Sequence, residues 1–460
     1  MPTVEEFINS QAEQFEEELC ELLRIPSIST DPAYRGEMPR AAGWVAQHFT
    51  SLGFAAEVID TPGHPLVYAE SPRIEGAPTV LVYGHYDVQP VEPLNLWDSP
   101  PFEPTRRDGC LYARGASDDK GQFLTHLFSA RAWIAAEGRL PLNLKYLIEG
   151  EEEAGSASLL PFLSANLQRL ACDCVVISDG AQFAPGQPAI TYGLRGIAYF
   201  ELLLTGPSRD LHSGTFGGSV TNPANALATM LSALVDEKGR IRVPGFYDDV
   251  VPLAPRERRQ FAQLPFDEKQ YLRQIGVSGA TGEEGYTVLE RRWARPTFDV
   301  NGLWSGYQGQ GAKTVLPSRA GAKFSFRLVP NQDPAKIAAG VRAMLAGLCP
   351  PGITMELVEH HGSPGVLVPL DSPHVQAAAR AIEHVFGRAP VYTREGGSIP
   401  VVATFHDLLG ADTLLIGWGQ DDDNTHSPNE KFSLADFHRG IRASARLWEE
   451  LSRLPTSARL

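Results

Sequence analysis

The stretch LNLKYLIEGEEEAGS, residues 142–156, runs from an apolar segment straight into Glu149, Glu151, Glu152 and Glu153. Leu142 to Ile148 reads as a short buried strand, and the polar, glycine-bounded residues after it lead into the helical pattern of ASLLPFLSANL. The glutamates therefore stand where a strand ends and a helix begins. A helix N-terminus offsets part of their charge, but several crowded carboxylates call for a stronger partner, and a divalent cation supplies it. A hydrated acidic turn is what most such runs form. The choice rests on whether the chain brings further ligands to the same place.

The pattern around this segment says where to look. TVLVYG (79–84), CVVIS (174–178) and TLLIG (413–417) read as strands, while QFLTHLFSARAWIAAEG (122–138) and VQAAARAIEHVFG (375–387) read as helices. This alternation predicts an α/β fold: a mostly parallel sheet with helices on both faces, built from residues 1–194 and 366–460. Residues 195–365 carry a cycle of their own, with strands at GIAYFELLLTG, AGAKFSFRLVP and ITMELVEHH and helices opening at Asn222-Pro223 and Asp333-Pro334. They predict a smaller inserted α+β domain. The Pro- and charge-rich stretch 244–300 is read as an elaboration of that insert, being long for a simple connection.

Open α/β sheets bind ligands beyond the carboxyl ends of their strands. His85 follows TVLVYG, Glu149 to Glu153 follow LNLKYLI, Asp179 follows CVVIS, and His426 follows TLLIG across a loop. Asp118 lies in the polar turn YARGASDDKGQ that leads into the helix at 122. Two imidazoles, three carboxylates and a spare glutamate suit a two-metal hydrolytic site, and nitrogen and carboxylate donors suit Zn²⁺ or Mn²⁺. One carboxylate must stay off the metals to carry the proton of the attacking water. One glutamate of the cluster binds metal, and its neighbour is the base.

Composition narrows the alternatives. The 460 residues are 43% hydrophobic and 21% charged, and 40 Lys plus Arg against 55 Asp plus Glu give a net charge of −15 without a basic stripe. Nucleic acid is not an expected partner. The acidic, amphipathic N-terminal segment lacks the pattern of a signal peptide, and no apolar run approaches the ~18 residues of a membrane span. Five sparse cysteines do not form a disulfide framework. These features predict a cytoplasmic protein that does not enter membranes. Asp421, Asp422 and Asp423 read as a hydrated loop, and Lys120 as structural.

Taken in order, LLRIPSIS, LVYGHYDVQP, RGASDDKG, EGEEEAGS, ISDG, ITYGLRG, DLHSG, GAKTVLP, FSFRLVP, REGGSIP and THSPNEK resemble the M20 metallopeptidases, in their carnosinase-like dipeptidase branch. The resemblance covers essentially the whole chain. It implies Asp118 as the ligand bridging two ions, His85 and Asp179 completing one site, and Glu153 and His426 completing the other. It makes Glu152 the general base and Asp87 the residue that orients His85, with a cis peptide at Asp118-Asp119. Adjacency leaves Asp119 as the competitor for the bridging role. The insert becomes a lid and dimerisation domain, with His212 of DLHSG polarising the substrate carbonyl across a homodimer. Arg327, Thr314 and Ser398 would receive the substrate's C-terminal carboxylate, and Glu395 a free amino group. The expected reaction is hydrolysis of dipeptides or short peptides by water activated between two Zn²⁺ or Mn²⁺ ions. An N-acyl amino acid deacylase on the same scaffold and a non-catalytic metal-binding relative are the competing readings.

Overall fold

The computed structural model describes residues 2–397 and 400–456. The chain divides into two compact units, one of residues 1–192, 368–393 and 404–460, the other of residues 193–367 and 394–403.

In the first unit, four parallel strands form the centre of the large sheet, in the order Asn143–Glu149, Thr79–His85, Cys174–Ile177, Asp412–Leu415. Antiparallel strands Leu66–Glu70 and Ala55–Ile59 extend one side. The central strands read as near-continuous apolar runs because they are buried on both faces; Val80 to Tyr83 and Leu144 to Ile148, Lys145 excepted, are all buried. Helices Glu37–Ser51, Lys120–Glu137 and Pro373–Phe386 pack against this sheet. The Lys120–Glu137 helix is buried along most of its length, polar residues included, which is why it shows little amphipathic periodicity in the sequence. Because the central strands are parallel, their carboxyl ends lie on one edge.

A separate three-stranded sheet joins Thr105–Arg107, Cys110–Tyr112 and Lys431–Ser433, all antiparallel. It ties the chain just before Asp118 to the chain just after His426.

The second unit is a four-stranded antiparallel sheet in the order Thr297–Ser305, Arg319–Leu328, Gly196–Thr205, Thr354–Ser363. Its core joins Phe200, Leu202, Phe324 and Phe326 to Leu227 and Met230 of helix Pro223–Ser232 and Val341 and Leu345 of helix Pro334–Leu348. Asn222 and Asp333 cap these helices through their side chains, with proline at the first helical position. The edge strand Thr297–Ser305 begins inside the stretch read as elaboration. Its partly exposed residues and a register shift between Val300 and Gly302 blur the alternation that would reveal it. No helix among the described residues is long and apolar enough to cross a membrane.

Candidate metal centre

The acidic cluster separates into four distinct roles. Glu149 is buried at the strand end, where it accepts hydrogen bonds from the Tyr83 hydroxyl and from Ser156 Oγ at 3.0 Å. Burial pushes its carboxyl up to about 8. Glu151 ties two loops together, accepting from the backbone N–H groups of His64 and Ser158, each at 3.1 Å. Glu152 and Glu153 start a single 3₁₀ turn, Glu152–Ala154, which ends in left-handed Gly155 at φ 93°, a conformation suited to glycine. Crowding is thus relieved by facing the carboxylates in different directions.

Five donor side chains meet at the sheet edge. His85, Asp118 and Asp179 form one trio and Asp118, Glu153 and His426 another, each with its donor atoms within 4.8 Å of one another. Asp118 serves both through different oxygens: Oδ1 lies 3.1 Å from His85 Nε2, and Oδ2 lies 2.9 Å from His426 Nε2. Asp179 Oδ2 is 3.9 Å from His85 Nε2, and Glu153 Oε1 is 3.3 Å from His426 Nε2. Asp119 belongs to neither trio. Its Oδ2 accepts from the His85 N–H at 3.1 Å, and a cis peptide joins it to Asp118.

The donor set fits divalent ions on local grounds. His85 Nδ1 donates to the Asp87 carbonyl at 3.1 Å, which leaves the Nε2 lone pair free. That buried Nε2 makes no hydrogen bond despite the nearby carboxylate. Electrostatics agree. Burial, reinforced by the Asp118 carboxylate, pushes Asp179 up to about 8. Burial together with Glu153 and Asp118 pushes Glu152 up to about 7, with His85 opposing. Hydrogen bonds that His426 donates to Asp118 and Glu153 raise it to about 10. Burial disfavours charge on His85, yet Asp118 and Asp87 hold it well above its ordinary value. Asp118 is held low by His426 and His85 in spite of burial. The cluster holds more negative charge than its surroundings tolerate without cations.

Several residues support the donors from behind; Asp87 and Lys120 are expected from the sequence, Gln89 and Asp423 are not. The Asp87 carboxylate accepts from the backbone N–H groups of Glu152 at 3.2 Å and Glu153 at 3.0 Å, and lies 3.5 Å from His85 Nδ1. Gln89 Nε2 donates to Glu153 Oε2 at 2.6 Å. Asp423 corrects the hydrated-loop reading: it is 1% exposed and accepts from Ser117 Oγ at 2.9 Å and Gln420 N–H at 2.8 Å. Its neighbour Asp422 is exposed and pairs with Lys431. Lys120 donates to the carbonyls of Leu22 and Ile25. The Glu152 carboxylate, by contrast, has no hydrogen bond or ion pair to another described residue.

The second unit holds the remaining expected residues. His212 and Val315 pair across a two-stranded ribbon, and Ser213 N–H donates to the Thr314 carbonyl at 3.1 Å. His212 Nδ1 accepts from Gly214 N–H at 3.0 Å, so its proton resides on exposed Nε2. Arg327 sits elsewhere, half-buried on Arg319–Leu328 opposite Thr297 and Ile197, and burial lowers its pKa. Arg195 is its neighbour in charge, pushed down to about 10 by burial and by Arg327. The backbone N–H of Arg195 donates to the Glu395 carbonyl at 3.2 Å. Ser398 lies outside the described residues.

The model of peptidase family M20/M25/M40 matches residues 81–450. The chain belongs to this family. It is 33% identical to the Cys-Gly metallodipeptidase dug1 of Schizosaccharomyces pombe, over 97% of each chain. It is also 33% identical to the Beta-Ala-His dipeptidase of Homo sapiens, over 98% of this chain and 92% of that one. Among solved structures, an M20 family metallo-carboxypeptidase from Sulfolobus solfataricus superposes with a TM-score of 0.86 at 34% identity, covering 96% of this M20 peptidase and 99% of the other chain.

Proposed function

We propose that this M20 peptidase hydrolyses the amide bond of dipeptides with two divalent ions, Zn²⁺ or Mn²⁺, held by the two trios that share Asp118. The observation that carries the reading is Asp118 itself, one oxygen turned to each trio, beside a glutamate that belongs to neither. When bound, the ions polarise the scissile carbonyl and make water a nucleophile near neutral pH. Glu152 takes the proton of the attacking water and returns it to the leaving amine. Its carboxyl belongs to neither trio and so stays available for that exchange. Asp87 holds the turn that presents Glu152 and Glu153 and fixes the His85 tautomer.

The second unit supplies substrate recognition in this proposal. Arg327, with Thr314 and Ser398, receives the C-terminal carboxylate, for which a guanidinium fork is suited; Glu395 holds the free amino group. In a cytoplasmic homodimer, the partner subunit's His212 donates Nε2–H to the carbonyl oxygen as it gains charge. The names of relatives that act on Cys-Gly and β-Ala-His support free dipeptides over N-acyl amino acids.

The test is hydrolysis of a dipeptide panel by metal-stripped protein titrated with Zn²⁺ or Mn²⁺, with N-acetyl amino acids in parallel. Turnover that requires metal and prefers free dipeptides is expected; activity confined to the acylated compounds would make the protein a deacylase. Glu152→Gln should keep its metal content and lose about 10²- to 10⁴-fold in kcat. Near-normal turnover in that variant would remove Glu152 from the proton transfer.

A further inference from the structure

Glu430 receives no role in the chemistry above, yet it is fully buried and accepts four hydrogen bonds. Oε1 takes the backbone N–H groups of Ser117 at 3.0 Å and Asp118 at 3.1 Å. Oε2 takes Gly115 N–H at 2.9 Å and Arg114 Nη1 at 2.8 Å. A carboxylate that gathers three consecutive-turn amides and a guanidinium fixes the backbone they belong to. That backbone ends in Asp118.

The other contacts of Glu430 run toward the remaining donors of one trio. It lies four residues after His426, and its carbonyl accepts from Ala113 N–H at 3.1 Å, one step beyond the pairing of Lys431 with Tyr112. The chain around His426 is left-handed at Asn424, His426 and Asn429, φ 56°, 61° and 61°, a region that Asn and His enter more readily than most other non-glycine residues. Arg114, bound to Glu430, also donates through Nη2 to the Pro90 carbonyl at 2.9 Å. Pro90 follows Gln89, whose amide holds Glu153 Oε2. Glu430 is thus joined to Asp118 directly, to His426 through its own loop, and to Glu153 through Arg114 and the 89–90 segment. Of the other trio it touches only the shared Asp118.

We propose that Glu430 is a positioning residue that sets the geometry of the Asp118–Glu153–His426 trio and governs the affinity of the ion held there, more than that of the ion held by His85 and Asp179. The proposal rests on the two-ion reading given above. Residues that orient metal ligands contribute about 10- to 100-fold to metal affinity. Gln at this position keeps the shape but replaces one acceptor oxygen with an NH₂ group facing backbone N–H donors.

The test is calorimetric titration of the metal-stripped full chain with Zn²⁺ alone, in wild type, His426→Asn and Glu430→Gln. His426→Asn identifies which binding phase belongs to its trio. Glu430→Gln should weaken that same phase about 10- to 100-fold and the other phase by less. Wild-type affinity in both phases, or equal loss in both, overturns the proposal, since general loosening of the fold favours neither ion. Should Glu430→Gln fail to fold, Glu430→Asp, which keeps the charge but is too short to reach both pairs of donors, goes through the same titration under the same criteria. A wild-type chain that takes up no Zn²⁺ would overturn the two-ion reading and this inference with it.

Discussion

The rim of the first unit, proposed to face metal, and the residues of the second unit proposed for recognition are built on opposite plans. At the rim, three of the five donors are held by neighbours: His85 by the Asp87 carbonyl, Glu153 by Gln89, and the Asp118 turn by Glu430. In the second unit, His212, Thr314 and Glu395 are exposed, and Arg327 is half-buried on the strand Arg319–Leu328. Rigid preorganisation belongs to the atoms that hold charge in place. Exposed groups on separate elements suit contacts made only when a ligand arrives.

Perturbing the rim should therefore act on metal, and perturbing the second unit on substrate. The largest effect is expected for Asp118→Asn, which removes the charge of the residue common to both trios and turns one of its two oxygens into an NH₂ group. Metal analysis should show both ions lost and turnover below detection, whereas retention of one ion would show that the trios are independent. Arg327→Lys should leave metal content unchanged and raise KM for a dipeptide about 10- to 100-fold, the equivalent of a lost charge-assisted bond of about 1.5–3 kcal/mol. A dipeptide C-terminal amide should be far less affected. Equal sensitivity of acid and amide would remove Arg327 from carboxylate recognition.

The smallest effect concerns the fold beneath the rim. His126 is buried on the Lys120–Glu137 helix with Nε2 2.8 Å from Ser178 Oγ, and burial lowers its pKa to about 3. From the ordinary value of about 6.5 down to about 3, the unfolded chain binds a proton that the folded chain refuses. Stability is therefore full above about pH 6.5 and falls as pH drops, by up to about 1.4 kcal/mol per unit from this group. Denaturant midpoints of metal-stripped protein at pH 7.5 and 5 should show the loss, and His126→Gln should flatten it.

The sheet and its donor-bearing ends were legible because buried parallel strands announce themselves as uninterrupted apolar runs, and the residue that follows each run is placed by topology. Which of Asp118 and Asp119 faces both trios was not legible from residue type, since adjacent carboxylates are chemically equivalent until the backbone aims them. Nor was Glu430, because a side chain that accepts from backbone N–H groups 312 residues away leaves no local pattern. Asp423 misled for a related reason: an acidic run looks hydrated in sequence, and only the turn at Ser117 buries its third member. The edge strand Thr297–Ser305 was hidden because an edge alternates weakly and bulges.

The order of the donors along the chain has a consequence for synthesis. His85, Asp118, Glu153 and Asp179 all precede the second unit, while His426 and the strand Asp412–Leu415 follow it. Domains emerge from the ribosome N-terminus first, at about 5–20 residues per second. A nascent chain therefore carries the His85 trio for as long as the whole second unit takes to be made, before the His426 trio can exist. A site assembled in this order remains half-built until translation is nearly finished.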